Sequence, residues 1–306
     1  MQWLHTPTGC AIAVVTGVAG TLTGALILFV LAQGFDPPAA KDKVRSELRP
    51  NGDQDMRYTV QFNDPAYQIV TPAGINLTPR QQDYLRTWRW SSLNADANAY
   101  NLSRLIEEVR SAGGANLQKL NLVIKLEGRR NQPLFVDNVH PVNIKRTKPY
   151  RGSLVNIPPQ EGGETIKMMF DFDQIDPRAR EVSGPKGGPY KPGDLFFNNR
   201  TLTVQDGQQD SLLIQSITTR QAVTFEIRID YRIGNRPKHL DINNHGRPFA
   251  LSPYNCVQSG KRLDLGQWLP GRMSYQDVWE LGIEAIEHST TPRNHPGPSP
   301  WCPISK

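Results

Sequence analysis

Apolar residues recur along this chain with two periods, and the switches between them mark out its elements. Met56, Tyr58, Val60 and Phe62 alternate with polar residues, the pattern of a strand with one buried face. Thr78-Pro79 then supplies an N-cap and a proline at the first helical position, opening a helix that carries Tyr84, Leu85 and Trp88. Leu102, Leu105, Ile106 and Val109 keep helical spacing, which predicts a second helix from about Tyr100 to Ser111, closed by Gly113-Gly114. Both helices are expected on the edge or end of a sheet. Past Asn116 the period falls to two: Leu120, Leu122, Ile124 and Leu126 make one strand, and Phe135 to Ile144 a second that Pro141 interrupts.

Further strands are predicted at Ser153–Ile157, Thr165–Phe172, Asn199–Gln205 and Ser211–Thr218. The clearest is Val223–Ile233, where Val223, Phe225, Ile227, Ile229, Tyr231 and Ile233 face one way and Thr224, Glu226, Arg228, Asp230 and Arg232 the other. Gly234-Asn235 and Asn244-His245-Gly246 bracket a last strand through Leu240 and Ile242. Ser274, with Asp277 three residues later, has the form of a capping box and predicts a C-terminal helix through Val278, Leu281, Ala285 and Ile286. Past His288, five prolines between Pro292 and Pro303 exclude helix from the tail. Seven or more short strands separated by turn signals make the fold mainly β with a few helices, a β-sandwich or jelly-roll-like domain.

Ahead of that domain, Cys10–Ala32 holds 23 residues with no charged side chain, roughly 34 Å of helix and enough to span a bilayer. Val30 and Ala32 offer a signal-peptide cleavage site, but the run exceeds a signal h-region and no Lys or Arg precedes it, which favours an uncleaved transmembrane helix. Thr16, Gly20 and Gly24 lie four apart on one face and suit lateral pairing with itself or another membrane protein. The chain thus divides into a short N-terminus (1–9), a transmembrane helix (10–33) and a linker or stalk (34–55). A β-sandwich domain (56–252) with helices near 79–111 follows, then a C-terminal helix and Pro-rich tail (253–306).

The net charge of +6 invites a nucleic-acid reading, but 29 acidic residues are spread among 35 basic ones, and an ordinary solvated surface accounts for that. Three cysteines are too few for a disulfide scaffold or a structural zinc site. Cys256 and Cys302, the two thiols beyond the membrane boundary, are expected to form a disulfide that ties the tail back. Such a bond would place the domain outside the cytoplasm. The flanking charges argue the reverse, because Lys41, Lys43, Arg45 and Arg49 follow the span and nothing basic precedes it.

Candidate chemistry is sparse. Asp171, Asp173 and Asp176 cluster after Phe170 and offer oxygen ligands, yet without the glycine and terminal glutamate of a calcium loop. His140, His239 and His245 lack zinc-ligand spacing. No nucleophile elbow, phosphate loop or activated cysteine is present, and no cofactor is implied. Gly184 to Gly193 reads as a loop whose prolines remove the amides a phosphate cradle needs. Lys145, Arg146, Lys148 and Arg151, beside Tyr150, form the best basic patch, for nucleic acid, envelope anions or lipid headgroups. The alternative is a strand edge guarded by lysine.

The order of Gly128, Lys148-Pro149 with Arg151-Gly152, Phe170-Asp171-Phe172-Asp173, Phe225 to Tyr231, and Asp241-Ile242-Asn243-Asn244-His245-Gly246-Arg247-Pro248-Phe249 resembles a group of uncharacterised actinobacterial proteins. In that group a single membrane span precedes a β-rich C-terminal domain, sometimes after a helix-turn-helix regulator. The likeness covers roughly residues 90 to 252 and implies no activity or functional residue. The expectation is a single-pass protein of the cell membrane whose extracytoplasmic domain binds or senses an envelope ligand. An anchored hydrolase-like enzyme with a dispersed active site, and a cytoplasmic nucleic-acid-binding domain, are the alternatives.

Overall fold

The computed structural model describes residues 55–63, 67–89, 101–157, 168–184, 191–198, 200–257, 272–282 and 285–289. The strands up to the middle of the chain are β1 (Met56–Phe62), β2 (Tyr67–Val70), β3 (Ala115–Leu117), β4 (Lys119–Gly128), β5 (Leu134–Thr147), β6 (Ser153–Ile157), β7 (Met168–Asp171), β8 (Arg180–Ser183) and β9 (Lys191–Leu195). Then come β10 (Leu202–Val204), β11 (Gln209–Ile217), β12 (Ala222–Ile233), β13 (Arg236–Ile242), β14 (Phe249–Ser252), β15 (Cys256–Val257), β16 (Arg272–Met273), β17 (Asp277–Leu281) and β18 (Ile286–Ser289). Two helices, α1 (Pro79–Thr87) and α2 (Leu102–Ser111), sit between β2 and β3. The fold is mainly β.

The helices start where their caps dictate. Thr78 Oγ1 accepts from the Gln81 amide at 3.3 Å while Gln81 Oε1 accepts from the Thr78 amide at 2.9 Å, a complete capping box ahead of Pro79. Asn101 Oδ1 caps α2 through the Arg104 amide at 3.0 Å, and Gly113, at a φ of 95°, turns the chain out of it.

One sheet has the order β1-β4-β11-β7-β8-β9; the other runs β10-β5-β12-β14-β3-β2-β6-β17-β18, with β13 also paired to β12. The two share a core in which Met56, Leu122, Ile124, Phe170 and Ile214 meet Val136, Phe225, Ile227, Ile229 and Phe249. Phe225 is fully buried at its centre, 4.5 Å from Phe172 and 5.6 Å from Phe249 between ring centroids. Each such side chain contributes about 1.5 to 3 kcal/mol by leaving water. β12 is central as its alternation predicts, with β5 on one side and β13 and β14 on the other. Its hairpin to β13 turns at Gly234, whose φ of 56° suits the first central position of a II′ turn.

The helices close a second core. Leu85, Trp88, Leu105, Ile106 and Val109 pack against Ile69, Val155, Ile157, Trp279 and Ile286 from β2, β6, β17 and β18. Leu154 faces a third cluster with Val70, Leu117, Tyr254 and Tyr275. β6 is therefore covered on both faces, and all five of its residues are buried.

Several expectations are corrected. Asp277–Leu281 and Ile286–Ser289 are strands, not helix: they pair antiparallel with Leu281 opposite Ile286, and Asp277–Glu280 pairs in parallel with Ser153–Asn156. The helical spacing of Val278, Leu281, Ala285 and Ile286 loses to hydrogen bonding along β6 and to complete burial of Trp279. The β-rich unit consequently runs beyond residue 252, because β17 and β18 belong to the same sheet as β12. Pro141 does not break β5; it lies opposite Ile227, where β10, paired only to Leu134–Val136, leaves the outer edge without a partner among the described residues. Lys191–Gly193 is strand rather than loop, paired to β8. Among the described residues no helix is long and apolar enough to cross a membrane. The expected span Cys10–Ala32, its face of Thr16, Gly20 and Gly24, the stalk, Cys302 and the proline-rich tail all lie outside the described residues.

Candidate functional site

Four polar constellations stand out, each placed by a different part of the sheets. The first is a basic end. Lys145 and Arg146 end β5 opposite Thr224 and Val223, with Lys148 just beyond and Arg151 further along the chain. Arg146 Nη2 donates to the carbonyls of Gln174 at 3.0 Å and Ile175 at 3.4 Å, bringing the loop after β7 against the patch. That loop is held from its other side by Asp173, which accepts from the amides of Thr219 at 3.0 Å and Arg220 at 3.1 Å and from the Thr218 and Thr219 hydroxyls.

Asp171 accepts from the Asp173 amide at 3.0 Å and Gln174 Nε2 at 3.1 Å, and Asp176 pairs with Arg178 at 2.7 Å. The three aspartates proposed as oxygen ligands thus each serve a protein donor. No group of three or more His, Cys, Asp or Glu is arranged for a metal among the described residues.

The second is a groove of about 540 Å³ between β5 and the segments after β7 and β9. Asp137, Asn138 and His140 line one wall and Arg178, Phe197 and Asn198 the other. Its charges are largely matched in pairs. Arg232 grips Asp137 with two bonds of 2.6 and 3.0 Å, and His140 Nδ1 lies 3.4 Å from Asp230 and 2.8 Å from Asn138 Nδ2. On the neighbouring strands Arg228 binds Asp241 at 2.7 and 2.8 Å, and these bonds hold the Asp241 carboxyl below its usual range. His239, singled out in the sequence, is exposed on the β12–β13 ribbon opposite Asp230, and its charge and that of His140 both act on the Asp241 carboxyl, whereas His245 lies in the Asn244–Arg247 turn.

The third centres on Asp55, which is almost fully buried yet accepts from Lys238 Nζ at 2.6 Å, Arg130 Nε at 2.6 Å and Tyr231 Oη at 3.0 Å. Burial pushes its carboxyl up, but the bonds from Lys238 and Arg130 outweigh burial and leave it below the ordinary value. Burial, and then the Asp55 charge, push the Tyr231 phenol well above its ordinary value.

The fourth is built on the β17–β18 hairpin. Asp277 accepts from Trp279 Nε1 at 2.7 Å and Ser153 Oγ at 3.3 Å and is bonded to His288 Nε2, while the imidazole stacks on Trp279 with centroids 4.0 Å apart. Serine, aspartate and histidine meet here in the wrong order for nucleophilic catalysis. The carboxylate stands between the other two, and Ser153, 1% exposed, bonds to it rather than to the imidazole. An open groove lined by Asn76, Gln82 and Gln276 adjoins the pair.

Sequence reasoning brought out the basic patch but missed Asp55, Asp277, Trp279 and His288. An aspartate directly ahead of an alternating run was the one local cue to Asp55; Asp277 was hidden by its resemblance to a helix cap. No protein-family model matches the chain, and none of the curated proteins compared with it matches.

Proposed function

We propose that this chain is a single-pass membrane protein whose extracytoplasmic domain, a β-sandwich, is a binding or sensing module for a polar envelope ligand. The groove along β5 carries this reading. Its acids and bases are largely matched in pairs, so a charged ligand gains little there, whereas its amides, carboxylates and Phe197 suit a neutral ligand rich in hydroxyls, such as a saccharide. The charge-free run Cys10–Ala32 supports the anchor. The domain's placement outside the cytoplasm goes with a Cys256–Cys302 bridge, and Cys256 is engaged rather than free. Kinship with the actinobacterial single-pass proteins is part of the same proposal.

The reading is tested by thermal unfolding of the full chain in detergent against a panel of neutral oligosaccharides, dicarboxylates and peptides. A saccharide should raise the midpoint, and His140→Ala with Asn198→Ala should remove the rise. A panel with no stabilising saccharide, or a rise that survives both substitutions, overturns it.

A second reading, an anchored hydrolase-like enzyme, is favoured by one observation: His288 is held by Asp277 beside an open polar groove, as a general base for water would be. Ester, glycoside, peptide or phosphate turnover lost in His288→Ala would establish it in place of the binding module.

A further inference from the structure

We propose that the basic end of the domain docks on an anionic lipid bilayer, with Ile175 entering the interface. The proposal rests on the anchor reading only for bringing the domain near a membrane. Ile175 is 96% exposed, at the tip of the loop after β7, and the other large apolar side chain exposed among the described residues, Ile75, is only 40% so. A fully exposed isoleucine costs solvation unless something covers it, and its surroundings identify what does.

Lys119, Lys145, Arg146, Lys148 and Arg220 are exposed around it. Register and hydrogen bonds bring them together: Lys119 lies opposite Ile217, the Thr218 amide donates to Gln118 O, Thr147 lies opposite Ala222, and Arg146 donates to Ile175 O. None of the five side chains makes an ion pair with a carboxylate among the described residues, although the Arg220 amide is bonded to Asp173. The acids at and after the end of β7 are Asp171, Asp173 and Asp176: the first two are engaged by the loop's own donors and by the Thr218–Arg220 turn, and Asp176, next to Ile175, is paired with Arg178.

An apolar tip ringed by unpaired cations matches the layered chemistry of a bilayer, anionic at the headgroups and apolar beneath. Single-stranded nucleic acid would call for exposed rings on which bases stack, and here Phe172 is 3% exposed and Tyr150 half-buried; a duplex would leave the exposed Ile175 side chain without an apolar partner. Geometry permits the approach. The stalk would meet the domain at the far end of β4, where Met56 lies opposite Gly128, about 30 Å from Lys119. Residues 33–55 can reach roughly 75 Å when extended, enough to turn the basic end onto the bilayer.

The test is hydrogen exchange of the full chain in nanodiscs of neutral phosphatidylcholine and of phosphatidylcholine with phosphatidylglycerol. Residues 171–176 and 218–221 should exchange more slowly in the anionic discs, with protection weakening as salt rises. Lys145→Glu and Lys148→Glu should each shift the docking equilibrium at least about fivefold, the effect of one cation near such a surface. Ile175→Asp should abolish protection without changing the unfolding midpoint. Equal exchange in both discs overturns docking while leaving the anchor intact; protection by added oligonucleotide but not by anionic lipid overturns it in favour of nucleic acid. A chain that fails to enter either disc overturns the anchor instead. Docking is then read by cosedimentation of the same chain with anionic vesicles, where absence of binding overturns it.

Discussion

Tyr231 Oη donates to Asp55 Oδ2 at 3.0 Å, joining the central strand of one sheet to the residue that opens the first strand of the other. Lys238 and Arg130 complete the cluster on the same carboxylate. It fastens the two sheets at the end where β1 begins. Since Asp55 is buried and its two cations remain partly solvated, Asp55→Ala is expected to cost on the order of 3 kcal/mol, the lower end for breaking a buried pair. Its folded carboxyl titrates below its unfolded value. The stabilisation is therefore complete above the unfolded value of about 3.9 and is lost as pH falls through the lower folded value. Denaturant midpoints of wild type and Asp55→Ala, followed from pH 7 to pH 2, should converge at the acid end.

Phe225→Ala should destabilise the domain by about 3 to 5 kcal/mol, as large-to-small changes of buried aromatics do. Phe225 has no exposed surface and contacts both Phe172 and Phe249. An unchanged urea midpoint would contradict its central position.

Ser216 carries a buried hydroxyl with no hydrogen-bond partner among the described residues, on the core-facing side of β11 with Leu212 and Ile214. Ser216→Ala removes an unsatisfied polar atom and should raise stability by about 1 kcal/mol. A lower melting temperature would show that the hydroxyl is satisfied in solution.

A Cβ built on Gly152 would stand 2.3 Å from both Pro72 O and Thr71 Oγ1, where β6 begins against the loop after β2. Gly152→Ala should therefore cost about 1 to 3 kcal/mol through overpacking, measured as a shift in denaturant midpoint. Gly74→Ala, with open space at its Cβ, meets only the strain of its φ of 82° and separates crowding from conformation.

Cys256 should be found linked to Cys302, closing a loop of 45 residues that constrains the unfolded chain by about 4 kcal/mol in the entropic account. Impermeant thiol labelling of whole cells followed by non-reducing peptide mapping checks this. Both thiols alkylatable, in protein shielded from the reagent, would overturn the bridge together with the outward domain.

The sequence by itself determined the elements whose cause is local. Alternation at Val223–Ile233 specified a strand with one buried face, Thr78-Pro79 specified a helix start, and Gly234-Asn235 specified a hairpin, because side-chain period, capping and φ preference act within a few residues. Only tertiary structure decided the partners. Asp277–Leu281 has helical spacing and a cap-like start, yet it is strand because β6, 124 residues earlier, offers an unpaired edge and the helical core receives Trp279. Asp55 likewise reads as the end of a polar stalk until Lys238, 183 residues away, meets it. Which strand edge is open, and which charge lies opposite a buried carboxylate, are set by contacts between distant segments. No window of neighbouring residues records those contacts.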